Sequence, residues 1–109
     1  LSAGDSRKTY PRFAAGNIES NLALVDRLGA IAESKGCTTA QLALAWVLHQ
    51  GDFIVPIPGA RQLANLEDNA AAAGIRLSAS DLEAINAALP ASGIAGERYT
   101  AAQMAMVDK

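Results

Sequence analysis

The sequence has one cysteine, few aromatic residues and no surplus of positive charge. With Cys37 alone the chain cannot form an internal disulfide, so we expect a reducing, cytoplasmic location and an unreactive, buried or half-buried thiol. A net charge of −2 and a pI near 5.2 argue against nucleic acid or a membrane surface as a partner. No apolar run approaches the roughly 20 residues that a transmembrane helix needs.

The scarcity of aromatic side chains favours helices over sheets. Half of the 109 residues are apolar, alanine dominates that half, and only two Phe, two Tyr and one Trp are present. The length suits a single domain. The chain opens at Leu1 in a loop-like stretch, so we expect it to be a piece of a longer protein.

Capping residues divide the first half of the chain into two helices. Asn17 is predicted to cap an amphipathic helix that starts at Ile18 and ends at Gly36. Thr38 and Gln41 have the spacing of a capping box and open a second helix. Residues 42–48 of that helix are apolar on every side, which predicts burial on every side by something larger than this chain.

Residues 53–57, FIVPI, form the only convincing strand pattern. A short continuous apolar run is typical of a parallel strand buried on both faces, although Pro56 predicts that the strand ends or bulges there. A single strand leaves its backbone groups unpaired, so we expect its partners to lie outside this chain. Two further helices follow, one ending at Gly74 and one running from the cap Ser78 to Leu89, where Pro90 stops it.

The segment between the strand and the next helix carries the best candidate binding site. Small residues followed by a helix N-terminus let backbone N–H groups approach a phosphate, and an arginine adds a permanent cation. Amides and a carboxylate at spacings of three and four can pair with ribose hydroxyls and a purine edge. The candidate residues are Gly59, Ala60, Arg61, Gln62, Asn65, Asp68 and Asn69. An ordinary solvated first turn explains the same residues equally well.

Three stretches resemble the aldo-keto reductase family. They are TTAQLALAWVL from Thr38, IVPIPGARQ from Ile54 and LEDN from Leu66, and GERY at 96–99 is similar to a C-terminal loop of some bacterial members. The resemblance implies the α/β fold class: this chain would be the mostly helical C-terminal third of a (β/α)8 TIM barrel, with one barrel strand. By position, 1–16 is the loop after strand 7, 17–50 are helices, 53–57 is strand 8, 58–74 is the cofactor loop and helix, 78–89 is the C-terminal helix and 90–109 is the C-terminal loop.

The same resemblance implies roles for the candidate site residues. The family reduces aldehydes and ketones with NADPH, as a rule without a metal. Gly59, Ala60, Arg61 and Gln62 would lie against the adenosine 2′-phosphate. Asn65 stands where many members have arginine or glutamine, Asp68 where glutamate is usual, and Asn69 matches the asparagine that holds the adenine.

The family's catalytic Asp, Tyr, Lys and His come from the first half of the barrel, and nothing in this chain matches their motifs. His49 is predicted to be a helix-end residue, and Tyr10 and Tyr99 to be loop aromatics. The implied partners are therefore NADPH, a small carbonyl substrate and the missing remainder of the barrel, which would supply the tyrosine that protonates the carbonyl oxygen.

Two other hypotheses stay open at this point. The chain could be a small helical interaction domain in which Arg61 is ordinary surface, although the apolar helix and the unpaired strand weigh against it. It could also belong to another barrel enzyme that binds a phosphorylated substrate at the same loop. An Asp, Tyr, Lys and His in barrel order upstream would favour the reductase.

Overall fold

The computed structural model describes residues 1–89 and 93–107, and these residues form helices joined by loops. The helices are α1 (Asn17–Ser34), α2 (Thr39–His49), α3 (Leu63–Ala71), α4 (Ala79–Ala88) and the short α5 (Ala101–Met104). Three 3₁₀ turns accompany them, at Ser6–Thr9, Pro11–Phe13 and Ala72–Gly74. Pro90, predicted to stop α4, and parts of the predicted 90–109 loop lie outside the described residues.

Asp26–Ala88 is one compact unit with its own apolar core. Ala32, Leu42 and Ile85 are buried at its centre, and Leu42 is only 1% exposed. Half-buried apolar residues pack against this centre: Leu28, Ile31, Cys37, Trp46 and Leu77. The core therefore draws on α1, α2 and α4, and Cys37 is a half-buried packing residue as predicted.

Local capping sets the ends of these helices. Gly36 has a φ of 70°, its N–H bonds to Glu33 O, and the next N–H, of Cys37, bonds to Ala32 O. This pair of bonds is the Schellman motif, which requires a left-handed residue and therefore favours glycine. Thr38 and Gln41 form the predicted capping box. Asn17 was predicted to be a cap but is the first residue of α1, because helical bonding already begins at Gly16 O, which accepts the Ser20 N–H at 3.0 Å; the Asn17 amide donates to Pro11 O at 2.8 Å.

Polar contacts join α1 and α4 at both ends of α4. Lys35 Nζ lies 2.6 Å from Asp81 Oδ2, which also accepts the Ser78 N–H at 2.8 Å. At the other end, Arg27 Nε donates to Ala88 O at 3.2 Å. The pKa of Asp81 is lowered to about 2. The hydrogen bond from Lys35 is the largest cause, and the hydrogen bond from the Ser78 N–H is the second. The predicted cap at Ser78 is confirmed, because its Oγ accepts the Asp81 N–H.

The strand predicted at residues 53–57 is not formed in this structure, which lacks the partners that the prediction placed outside the chain. Asp52 and Phe53 form a turn and residues 54–60 have no regular secondary structure; none of the described residues is in a strand. The segment is also exposed rather than buried, with Phe53 at 100% and Ile57 at 94%. A strand forms when a neighbour accepts and donates its backbone hydrogen bonds, and no described segment offers such an edge.

Burial of α2 on every side is likewise not observed. Leu42 and Ala45 are buried, whereas Ala43 and Leu48 are exposed, because no described element covers that face. Across the part of the chain that the structure describes, no helix combines the length and apolar character needed to cross a bilayer.

A second compact unit comprises Leu1–Val25 and the described part of Leu89–Lys109. The Asn21 side chain makes two hydrogen bonds to the backbone of Ala95: Nδ2 donates to its O at 2.9 Å, and Oδ1 accepts its N–H at 2.8 Å. Arg12 Nε donates to Gly96 O at 3.3 Å. The loop aromatics Tyr10 and Tyr99 meet edge to face, with ring centroids 6.5 Å apart. These contacts join residues 95, 96 and 99 to residues 10, 12 and 21.

Replacing Lys35 by Met should raise the pKa of Asp81 from about 2 toward, but not fully to, its ordinary value of 3.8, because the Ser78 N–H remains. The pKa is lowered on folding, so the carboxylate stabilises the fold above pH 3.8 and the contribution disappears as the pH falls toward 2. Titration of the Asp81 carboxyl ¹³C resonance in the full-length protein measures the shift. Lys8→Met is the matched control, and equal titration curves in the two variants would contradict the assignment.

Replacing Gly96 by Ala should destabilise the protein more than replacing Gly93 by Ala. Both glycines have φ near +83°, which costs an alanine roughly 1–2 kcal/mol. A Cβ on Gly96 would in addition lie 2.8 Å from the Pro11 backbone, whereas one on Gly93 meets nothing within 4 Å. Urea unfolding of both full-length variants measures the difference. If Gly93→Ala lowers the free energy of unfolding as much as Gly96→Ala does, the close approach to Pro11 does not destabilise the Gly96 variant.

Candidate functional site

An open cleft of about 760 Å³ lies at the start of α3. Its walls are Gly59, Ala60, Arg61, Gln62 and Asn65, which are all exposed. The structure thus brings together five of the seven residues that the sequence indicated, on one loop and the first turn of one helix.

The N-terminus of α3 has no side-chain cap. Gln62 occupies the cap position in an extended conformation (φ −121°, ψ 148°), and no side chain accepts a hydrogen bond from the first turn. Three other helices do start with a side-chain cap: α2 and α5 have complete capping boxes, and Ser78 caps α4. The first N–H groups of α3 therefore have no partner from a capping side chain, and Gln62 and Asn65 at this helix start line the cleft.

The charge at the cleft is positive. Arg61 belongs to neither of the two ion pairs found among the described residues, which are Arg7–Asp5 and Lys35–Asp81. The first turn of α3 contains no acidic residue. A guanidinium with five donors beside the positive end of a helix suits an anion with several oxygens, such as a phosphate. The cleft therefore offers the positive charge and the donors that a phosphate group requires.

The last two candidate residues lie beyond the cleft. Asn69 is half-buried, and its Nδ2 donates to Gly59 O at 3.3 Å, so it contacts the loop that forms the cleft. Asp68 is exposed, and its backbone O accepts a hydrogen bond from Gln41 Nε2 at 3.0 Å. Asn65 lines the cleft directly, while Asn69 reaches it through Gly59 and Asp68 lies outside it.

Gln41 lies near the site and makes one contact that the sequence did not indicate. Its position marks it as the partner of Thr38 in the capping box, and this local role is confirmed. Its second bond, to Asp68, joins residues 27 positions apart. No local pattern reports such a contact, because it depends on how α2 and α3 pack.

His49 and clusters of metal-binding side chains are the other candidates for a chemical site among the described residues. His49 is the exposed last residue of α2, as predicted, beside a cavity of about 280 Å³ that Arg76 also lines. Within residues 1–89 and 93–107, no three His, Cys, Asp or Glu side chains gather where they could hold a metal ion.

Comparison with known proteins adds to this geometry. Residues 2–90 match the model of the Aldo/keto reductase family. The chain is also 45% identical, over 99 residues, to "Probable aldo-keto reductase 1" of Glycine max. The aligned region covers 91% of this chain but 29% of that protein, so the chain spans less than a third of its relative's length.

Proposed function

The chain belongs to the Aldo/keto reductase family, and from that premise we propose that it binds the adenosine end of NADPH in a longer enzyme that reduces aldehydes and ketones. The observation that carries the proposal is the cleft at α3, where an uncapped helix start meets Arg61. Family membership supports oxidoreduction of carbonyls, and the cleft supports the choice of phosphorylated cofactor.

The residues of the cleft fit the 2′-phosphate of NADPH. Gly59 and Ala60 carry little or no side chain, so their backbone leaves room for a phosphate to approach the first N–H groups of α3. Arg61 supplies a permanent positive charge with a planar set of donors. Gln62 and Asn65 add neutral polar groups on the same wall. Together they would hold the phosphate that distinguishes NADPH from NADH.

Asn69 and Asp68 would bind the rest of the adenosine. Asn69 already donates to Gly59 O, and its Oδ1 remains an acceptor for the exocyclic amine of adenine. The exposed Asp68 carboxylate offers two acceptors for ribose hydroxyls. Asn65 and Asp68 are shorter or less basic than the residues usual in the family, so Arg61 would carry most of the preference for NADPH.

The chain's own contribution to catalysis would be binding and orientation. When bound, NADPH supplies the hydride for carbonyl reduction. A cofactor held firmly at its adenosine end keeps its reactive ring near attack distance, which converts binding energy into rate. The catalytic Asp, Tyr, Lys and His, the carbonyl-binding pocket and the other barrel elements would come from the longer protein.

Residues 53–57 would complete a (β/α)8 barrel in that longer protein. Phe53, Val55 and Ile57 are 79–100% exposed here, which is unfavourable for large apolar side chains. Neighbouring strands on both sides would bury these side chains and pair the backbone. Only Pro58 separates the segment from Gly59, so the cleft would lie at the C-terminal end of the strand, where barrel enzymes bind their ligands.

The two rival hypotheses are weaker than the reductase. A free-standing helical interaction domain does not explain why 91% of the chain aligns with a reductase more than three times its length. A barrel enzyme of a different family is set aside because the chain belongs to the Aldo/keto reductase family.

The barrel proposal predicts slow exchange of the Val55 and Ile57 amide hydrogens in the full-length protein. Pairing with strands on both sides would protect them, whereas the same amides in the isolated 109-residue chain should exchange quickly. Hydrogen-exchange mass spectrometry on both proteins measures this contrast. Fast exchange in the full-length protein would argue against the strand assignment.

Arg61→Ala should weaken NADPH binding and leave NADH binding nearly unchanged. The lost charge-assisted contact is worth on the order of 1.5–3 kcal/mol, or about ten- to a hundredfold in Kd. Titration calorimetry or fluorescence with both cofactors on the full-length protein measures the effect. Arg76→Ala, an exposed arginine outside the cleft, is the matched control and should change neither Kd.

Asn69→Ala should weaken the binding of both cofactors, because the adenine is common to them, and that of NADPH more strongly, because the Asn69 bond to Gly59 O at the cleft is also lost. One or two neutral hydrogen bonds correspond to about three- to thirtyfold in Kd. Equal losses of NADPH and NADH affinity in Arg61→Ala would mean that the 2′-phosphate lies elsewhere. A loss of affinity restricted to NADPH in Asn69→Ala would mean that the adenine lies elsewhere.

A further inference from the structure

We propose that Gln41, which lies outside the cleft, is a positioning residue for it. The inference rests on the proposed NADPH function, because the cleft is the site that Gln41 would position. The contacts that carry it run from α2 through α3 to Gly59.

The side-chain amide of Gln41 has two separate tasks. Its Oε1 accepts the Thr38 N–H at 3.0 Å, which completes the cap of α2. Its Nε2 donates to Asp68 O at 3.0 Å, which ties α2 to α3. One amide group thus serves the local helix with its acceptor and a distant helix with its donor.

Asp68 lies in the last turn of α3, where the geometry of the helix changes. The Ala72 N–H bonds to Asn69 O and Ala70 O as the chain enters the 3₁₀ turn. Carbonyls in the last turn of a helix commonly take partners from elsewhere. Gln41 Nε2 is such a partner for Asp68 O, and it comes from another helix.

The next residue carries the link to the cleft. Asn69 Nδ2 donates to Gly59 O at 3.3 Å, and Gly59 is the first residue of the cleft wall. Two hydrogen bonds therefore connect α2 to the cleft loop through α3. The helix has no buried side chain of its own, so its position depends on the Gln41 bond together with the packing of the following 3₁₀ turn against α2.

Gln41→Glu keeps one hydrogen bond of the side chain and removes the other. A carboxylate keeps the acceptor for the Thr38 N–H but opposes the Asp68 carbonyl with an oxygen instead of a donor. In the full-length protein we expect the Kd for NADPH to rise about three- to tenfold, the range of one neutral hydrogen bond, while kcat at saturating NADPH stays unchanged. The Asn69 side-chain amide resonances in the cofactor-free protein should also shift.

Two further variants serve as controls. Gln41→Met removes the donor without adding charge, so it should weaken NADPH binding as Gln41→Glu does. Thr38→Ala removes the hydroxyl that caps α2 and leaves the Gln41–Asp68 bond, so it should lower the thermal unfolding temperature and leave the Kd and the Asn69 resonances unchanged.

Each outcome of this set decides the question. If Gln41→Glu and Gln41→Met bind NADPH as the parent protein does, or if Thr38→Ala weakens binding equally, Gln41 has only a structural role and the inference is wrong. If only Gln41→Glu weakens binding, the effect is one of charge and the inference is also wrong. If Arg61→Ala does not discriminate NADPH from NADH, the proposed function fails instead, and the Asn69 resonances still report whether Gln41 holds the loop.

Discussion

The position of α3 depends on the burial of Ala72 against α2. The 3₁₀ turn at Ala72–Gly74 packs on α2, and Ala72 is 1% exposed although α3 itself has no buried residue. A methyl group is small enough to let the turn lie close to α2, where Ala45 is also buried. The site helix is therefore anchored at its C-terminal end, by Ala72 and by the Gln41 bond to Asp68. Its N-terminal end projects into solvent.

The N-terminal end of α3, which would bind the cofactor, has backbone N–H groups without a capping side chain. A helix end without a cap loses roughly 0.5–2 kcal/mol relative to one with a good cap. The chain supplies caps at α2, α4 and α5 and omits one at α3, directly beside Arg61. Departures from local rules concentrate at functional sites, where a ligand supplies the missing interaction. A phosphate at this helix end would act as its cap.

Local interactions made much of the helical architecture predictable from the sequence. The stop at Gly36 and the caps at Thr38 and Ser78 need only neighbouring residues, and all three are observed. The cleft was predictable for the same reason, since its five residues are nearly contiguous. Residues 53–57 were not, because a strand requires partners that the described residues do not contain. The Gln41–Asp68 bond was not either, because it depends on the packing of two helices.

The rigidity of the cleft would also depend on partners that the described residues do not contain. Residues 54–60 lead into the cleft without regular secondary structure, so the loop is held on one side only, through Asn69 and Gly59. In the proposed barrel, strand pairing at residues 53–57 would fix the other side. Binding a phosphate orders any loop that is still free, and that ordering reduces affinity. Closure of the barrel and the Gln41 contact would both remove this cost before the cofactor arrives. The adenosine site would then reach its full affinity only in the longer protein, even though all its proposed contact residues lie in this chain.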